Sequence, residues 1–445
     1  MNRYFRCIKQ LYLSNSLILI VFFGLHTTLM VLLNNITAFA PDEVNYISVF
    51  KNVYRSDFTL YGYLGWPDGS INAIRVIYFP AKMLETIGFS DFFTVRFLSL
   101  FYTLISLYLL LRSTDKIRIL GKPARLWILS AYCIPSFFLW TTLGLRESFI
   151  FVSIVGVFYT LSITSNSKFL IRFFCIVLFS TFLMVSKLYL YGLLLLALIF
   201  AVLSLFLFKR SLKTVNLKLL AGILVPFILF PTMSSNLLGS AKGSLEIKLE
   251  LESPIESPIE SFSGTGQTLR DLNQQIDNNS LLLWISKETG LAKYLKEKSE
   301  YSPLQLDSTE SRRDFIQRQT KPASLMDPTS VIVSTLNFLF VPTPFIDNGS
   351  LFLNLQSYES FAWYVFYVLL LTLLFGLVRN KYVLNIQSLI STFFTLGFIL
   401  MSALIEVNDG TSVRHRAVLL ICISVMLMAF REKDSPSHVN QTSFN

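Results

Sequence analysis

Residues 14–43 read SNSLILIVFFGLHTTLMVLLNNITAFAPDE, and this stretch decides what kind of chain the rest must be. Between residues 16 and 33 it holds no Asp, Glu, Lys or Arg, close to the ~20 mainly apolar residues that a helix needs to cross a bilayer. Arg3, Arg6 and Lys9 precede it as in a secretory signal. No small-residue cleavage site follows, so an uncleaved first span is expected. Pro41 then suits a first helical position, where its missing N–H would be unpaired in any case. Asp42 and Glu43 fall in the first turn, where the positive end of the helix dipole favours carboxylates, and Tyr46 follows within a turn. Two readings stand. The acids cap an interfacial helix, or they are a catalytic acid/base at the lip of a membrane cavity.

The composition extends the membrane reading to the whole chain. Of 445 residues, 53% are hydrophobic and only 15% charged, with mean hydropathy +0.56. A soluble domain carries about 25% charged residues. Runs long enough to span, broken by charge, recur at about ten places: 14–36, 92–111, 126–143, 148–164, 170–186, 188–208, 216–235, 357–378, 383–404 and 416–430. The chain is therefore expected to be an all-α polytopic integral membrane protein with about ten transmembrane helices. The formal net charge of +10 is explained by basic residues flanking spans, and no basic tract interleaved with aromatics points to nucleic acid. Cys7, Cys133, Cys175 and Cys422 form no metal-ligand spacing, and no pairing follows from them.

Orientation follows from lysine and arginine in the short connections. Arg3, Arg6 and Lys9 open the chain; Arg112, Lys116, Arg118, Lys122 and Arg125 fill the second connection. Lys168 and Arg172, then Lys209, Arg210, Lys213 and Lys218, then Arg379 and Lys381, then Arg431 and Lys433 continue the series. Every second connection is basic, which puts both termini in the cytoplasm. Four regions result: an N-terminal membrane region 1–235 with a first outer loop 37–91, an extracytoplasmic segment 236–330, a C-terminal membrane region 331–430 and a cytoplasmic tail 431–445.

The outer side holds the unusual sequence. The first loop contains LGWPDGS at 64–70 and an amphipathic stretch at 76–87 suited to an interface. The long segment repeats ESPIESPIES at 252–261, where proline opposes regular structure, and two helical patches are expected near 268–298 and 309–320. NFLFVPTPFIDNGS at 337–350 is apolar, proline-broken and too short to span, so it reads as re-entrant or interfacial.

Charges at membrane depth are expensive, and several gather at the outer ends of different spans. Arg146 and Glu147 sit in LGLRESF, in a very tight turn between the third and fourth spans. Lys187 interrupts MVSKLYLY, where it either snorkels or binds a ligand. Glu406, Asp409, Arg414, His415 and Arg416 fill EVNDGTSVRHR. Three basic residues outside run against the positive-inside trend and point to an anion, most economically a phosphate held in arginine forks. Arg75 and Arg96 either meet a head group or pair with nearby acids. His26 reads as a satisfied core histidine, and His438 carries no signal. Carboxylates beside phosphate-binding arginines suit a lipid-phosphate-linked sugar donor. A carboxylate takes the acceptor hydroxyl proton while cations stabilise the leaving phosphate. No step of this chemistry calls for a metal or other cofactor.

The acidic pair opening the first outer loop, the interfacial stretch and a span beginning SDFFTVRFLSL resemble the glycosyltransferase C superfamily. That resemblance implies a polyprenyl-linked sugar donor and makes Asp42 or Glu43 the base. LGLRESFIF, FVPTPF and GTSVRHRAVLL are also similar to stretches of bacterial surface-polysaccharide membrane proteins, oligosaccharide repeat-unit polymerases among them. Residues 236–330 depart from compact members of the superfamily. The expectation is a glycosyltransferase of the bacterial inner membrane, acting on a glycan or lipid acceptor among membrane lipids, with Asp42 or Glu43 as base. Arg146, Arg414 and Arg416 lead its phosphate contacts, with Glu147, Lys187, His415 and Arg75 around the same site. A repeat-unit polymerase of O-antigen type is the nearest alternative. A transporter or flippase of lipid-linked oligosaccharide is the second, although it would predict internal repeat symmetry that the two halves do not show.

Overall fold

The computed structural model describes residues 15–34, 80, 84, 88–115, 117–163, 169–207, 217–229, 328–341, 344, 351–379, 381–405 and 409–431. Asp42, Glu43 and Arg75, most of the first outer loop, nearly all of residues 236–330, most of 342–350, Glu406 and the tail from 432 lie outside the described residues. Among those described stand twelve helices: α1 Asn15–Asn34, α2 Asp91–Thr114, α3 Ala124–Tyr132, α4 Pro135–Thr142, α5 Glu147–Ser162, α6 Phe169–Ser186, α7 Leu188–Leu207, α8 Leu217–Leu229, α9 Pro328–Phe340, α10 Leu351–Val378, α11 Ile386–Ile405 and α12 Asp409–Ala429; eleven fall on the ten expected runs, and α9 lies outside all of them. Six of these are long and apolar enough to cross a membrane, or up to seven if the bent pair α4–α5 is one span. The protein is a helical membrane protein.

Periodicity explains which face of each helix meets the others. In α1 the buried side chains are Phe22, His26 and Met30, one per turn, while Ile20, Val21 and Leu25 stay more than half exposed. The outward faces of α6, α7 and α10 carry Leu170, Phe174, Phe206, Leu207, Val368 and Leu371 in the open. Such apolar surface, with every backbone group bonded inside its helix, belongs against lipid chains. α12 is the opposite case. Every residue from Ala417 to Phe430 is buried, and the helix touches α2, α3, α4, α5, α9, α10 and α11. It is the axis of the bundle.

Two expectations need correction. The third run, 126–143, is two short helices broken at Cys133–Ile134, because Pro135 restricts the residue before it to extended backbone and Ile134 sits at φ −64°, ψ 125°. The tight hairpin expected at Arg146–Glu147 is instead an elbow, with the axes of α4 and α5 turning through 104°. A third departure is small. The basic connection after α2 forms a two-stranded ribbon, β1 Arg118–Ile119 against β2 Lys122–Pro123, closed by Leu120 (φ 55°) and Gly121 (φ 73°). Positive φ at both central residues is the type I′ turn that fits the strand twist.

The elbow is held close to α2. A Cβ on Gly144 would run into the side chain of Val95, so only glycine lets the turn approach there. Leu143, Leu145, Phe149 and Trp140 pack with Val95 and Leu98 around it. Beneath lies a buried hydroxyl network: Ser99 Oγ meets Ser148 Oγ at 2.7 Å and donates to Thr141 O at 3.0 Å, and Thr103 donates to Ser148 at 2.9 Å. His26 joins it, with Nδ1 3.1 Å from Phe22 O and Nε2 3.0 Å from Thr141 Oγ1. It is a satisfied core histidine, as its sequence setting suggested.

Candidate anion site at the helix elbows

α5 opens with Arg146 as its N-cap residue and Glu147 in its first turn, where unpaired backbone N–H groups favour a carboxylate. Glu147 is 1% exposed. It accepts two parallel hydrogen bonds from Arg414 on α12, Nε to Oε1 at 2.7 Å and Nη2 to Oε2 at 2.9 Å. This fork is the strongest arrangement two such groups can adopt. The guanidinium carbon also lies 5.9 Å from the Trp140 ring centre, so the α4 side of the elbow covers the pair.

Lys187 comes from the junction of α6 and α7. Its N–H closes α6 on Leu183 O (2.9 Å), and its carbonyl accepts from Leu190 (2.9 Å) and Tyr191 (3.2 Å) at the start of α7. A residue in both helix ends has little freedom, and its ammonium is held 3.4 Å from Tyr189 OH and 3.3 Å from His415 Nε2. An ammonium only donates, so His415 must present an unprotonated Nε2 to it. Glu147 feels the charges of Arg414, Arg146 and Lys187 together. Three cations from three separate stretches thus surround one carboxylate.

Arg414, His415 and Arg416 were expected in a loop but occupy successive positions of α12. At 100° per residue they leave the helix in three directions. Arg414 goes to Glu147, His415 to Lys187, and Arg416, 1% exposed, sends Nε 2.8 Å to Phe338 O. That carbonyl belongs to the last turn of α9, where orphan acceptors and the negative dipole end welcome a cation. Tyr367 OH donates to Leu339 O at 2.8 Å in the same turn. The structure therefore brings Arg146, Glu147, Lys187, Arg414 and His415 together and turns Arg416 away toward α9 and α10. Asp42, Glu43 and Arg75 lie outside the described residues.

The sequence reading passed over Glu359. It is the one charged residue of the 28-residue α10. It faces Ser136 of α4 and Trp363 one turn on, within electrostatic reach of Arg416. The signal was present, since a lone acid in an apolar helix is as unusual as Lys187. Arg96, read as a head-group or pairing residue, is fully buried on α2 with its guanidinium 5.4 Å from the Phe92 ring centre. Among the described residues no group of three His, Cys, Asp or Glu stands close enough to hold a metal. Comparison with protein-family models, with curated proteins and with solved structures finds no match to this chain.

Proposed function

We propose that this protein is a glycosyltransferase of the bacterial inner membrane, taking a sugar from a polyprenyl-(pyro)phosphate donor on the extracytoplasmic face. One observation supports the reading above the rest: Arg146, Lys187 and Arg414 converge around Glu147 at one end of an apolar bundle. Charges persist at such a depth where a substrate uses them. Arg146 is the residue best placed to do so, because its Nε is buried without a hydrogen-bond acceptor. Arg414 is aligned by Glu147, and Lys187 by Tyr189 and His415. A lipid pyrophosphate leaving the sugar gains negative charge, and fixed cations beside it lower that barrier. The isoprenoid chain would lie against the apolar outer faces of the helices. Asp42 or Glu43 is the proposed base for the acceptor hydroxyl.

The finer topology belongs to the same proposal: ten crossings, both termini cytoplasmic and residues 236–330 outside. Its support is charge placement along α2. The elbow packs against Val95 and Leu98 near the start of that 24-residue helix, whereas Arg112 and the ribbon with Arg118 and Lys122 lie at its far end, roughly 21–26 Å away at 1.5 Å per residue.

The test is complementation of a deletion strain, with membrane levels of each variant checked. Arg146→Met and Lys187→Met should lose the surface glycan that the wild-type gene restores, as should Asp42→Asn combined with Glu43→Gln. A deletion glycan lacking one sugar supports the transferase. A glycan stopped after one complete repeat would replace it with repeat-unit polymerisation. Wild-type glycan from the Arg146 and Lys187 variants would end the phosphate reading.

A further inference from the structure

The inward face of α10 presents polar atoms that the protein does not use. Gln356 is 5% exposed, yet neither its Oε1 nor its Nε2 has a hydrogen-bond partner. One turn on, the Glu359 carboxylate leans on Ser136 in the first turn of α4 and on Trp363, while its Oε2 is buried without a well-aligned hydrogen bond. Positions 356, 359, 360 and 363 share one helical face, so the amide, the carboxylate, Ser360 and the Trp363 ring line up on it. Native interiors rarely leave such groups unmet, because each costs about 1–3 kcal/mol. The stranded Gln356 amide, one turn from a carboxylate with an unfilled oxygen, marks a place built for something else.

We infer that Gln356, Glu359 and Ser136 form a saccharide subsite beside the cation cluster, taking the hydroxyl groups of the transferred or accepting sugar. The charge pattern selects this class. Glu359 opposes an anion and Arg416 opposes a cation, while an apolar guest would leave every polar atom unmet. Vicinal hydroxyls both donate and accept, which matches an amide, a carboxylate and a hydroxyl. Location agrees as well. Ser136 faces Glu359 and Trp140 faces Arg414, and these two residues are four apart on α4, roughly 6 Å of rise. A sugar in the subsite thus has its phosphate within reach of the elbow. The inference rests on the proposed function for its donor, and the test separates the two.

The experiment uses the full-length protein in nanodiscs and compares binding of an isoprenoid pyrophosphate bearing N-acetylglucosamine or glucose with that of the same lipid without sugar. The sugar-bearing lipids should bind at least tenfold more tightly. Gln356→Leu and Glu359→Gln should erase that preference without changing affinity for the bare lipid, whereas Arg146→Met should weaken both lipids alike. Gln356→Leu removes a stranded amide at similar volume, so the variant folds and its apo protein should melt at a higher temperature than wild type. Equal binding of sugar-bearing and bare lipids, or a preference that survives both α10 variants, overturns the subsite. If no lipid binds, the phosphate reading fails, and free monosaccharides decide the subsite by whether they raise the melting temperature of wild type but not of Gln356→Leu.

Discussion

Arg414 and Glu147 show why neither can be changed alone. Glu147 is buried and Arg414 largely so, and removing one partner leaves an uncompensated charge in apolar surroundings. Glu147→Ala or Arg414→Ala should each cost about 3–5 kcal/mol, measured by unfolding in detergent, while the double change to Leu should recover most of that loss. If the double variant is as unstable as the sum of the singles, the fork is not what holds the elbow to α12. Gly144→Ala tests the same elbow from its backbone: the added methyl meets Val95, and a loss of about 1–3 kcal/mol is expected from forced separation. At this scale the charges gathered at the elbow were legible, whereas Asp42, Glu43 and Arg75 lie outside the described residues and Arg416 turns elsewhere. Arg146, Glu147, Lys187 and Arg414 stand out in sequence because each is a charge in or beside an apolar run. Their partners were not legible. That Arg416 would cap α9 through Phe338 O, while Arg414 two residues earlier finds α5, depends on a helical phase running through a stretch whose Asp, Gly, Thr and Ser read as loop.

Among the elements, the ribbon after α2 carries a local cost. Leu120 holds φ 55° at 42% exposure, a conformation in which a branched aliphatic gains nothing from packing and loses about 1–2 kcal/mol. Leu120→Asn should therefore raise the melting temperature, by about 1 kcal/mol in stability, and an unchanged or lower value would show that Leu120 is held by contacts in the bilayer interface. The ribbon was invisible to a reading that sought spans, because Arg118-Ile119-Leu120-Gly121-Lys122 is too short and too basic to carry strand periodicity. The break at Pro135 was visible in principle. A proline in the middle of an apolar run ends a helix at the preceding residue, but the run's length and hydropathy outweighed it. Helix positions were the most legible feature of all. α6, Phe169–Ser186, and α7, Leu188–Leu207, coincide with expected runs to within a residue, since each is bounded by charge or by Lys187 itself.

For the molecule as a whole, the proposed orientation makes a direct prediction. With Cys7, Cys133 and Cys175 first replaced, cysteines introduced at Gly88 and at Leu120, both exposed, should react with membrane-impermeant reagent from opposite sides of the membrane, Leu120 from the cytoplasm. Labelling from one side would overturn the path of α2. The covered position of α12 has a further consequence, for biogenesis. This helix follows every other described helix in the chain, yet all its faces below Arg416 are occupied by them. Until it has been translated, α11 touches α5 and α9 but the faces that all three turn toward α12 stand empty, so the earlier segments must wait in the bilayer as an incomplete ring. Their assembly cannot finish before α12 is made, and a nascent chain stalled short of Asp409 would be a substrate for membrane quality control rather than a partly working protein.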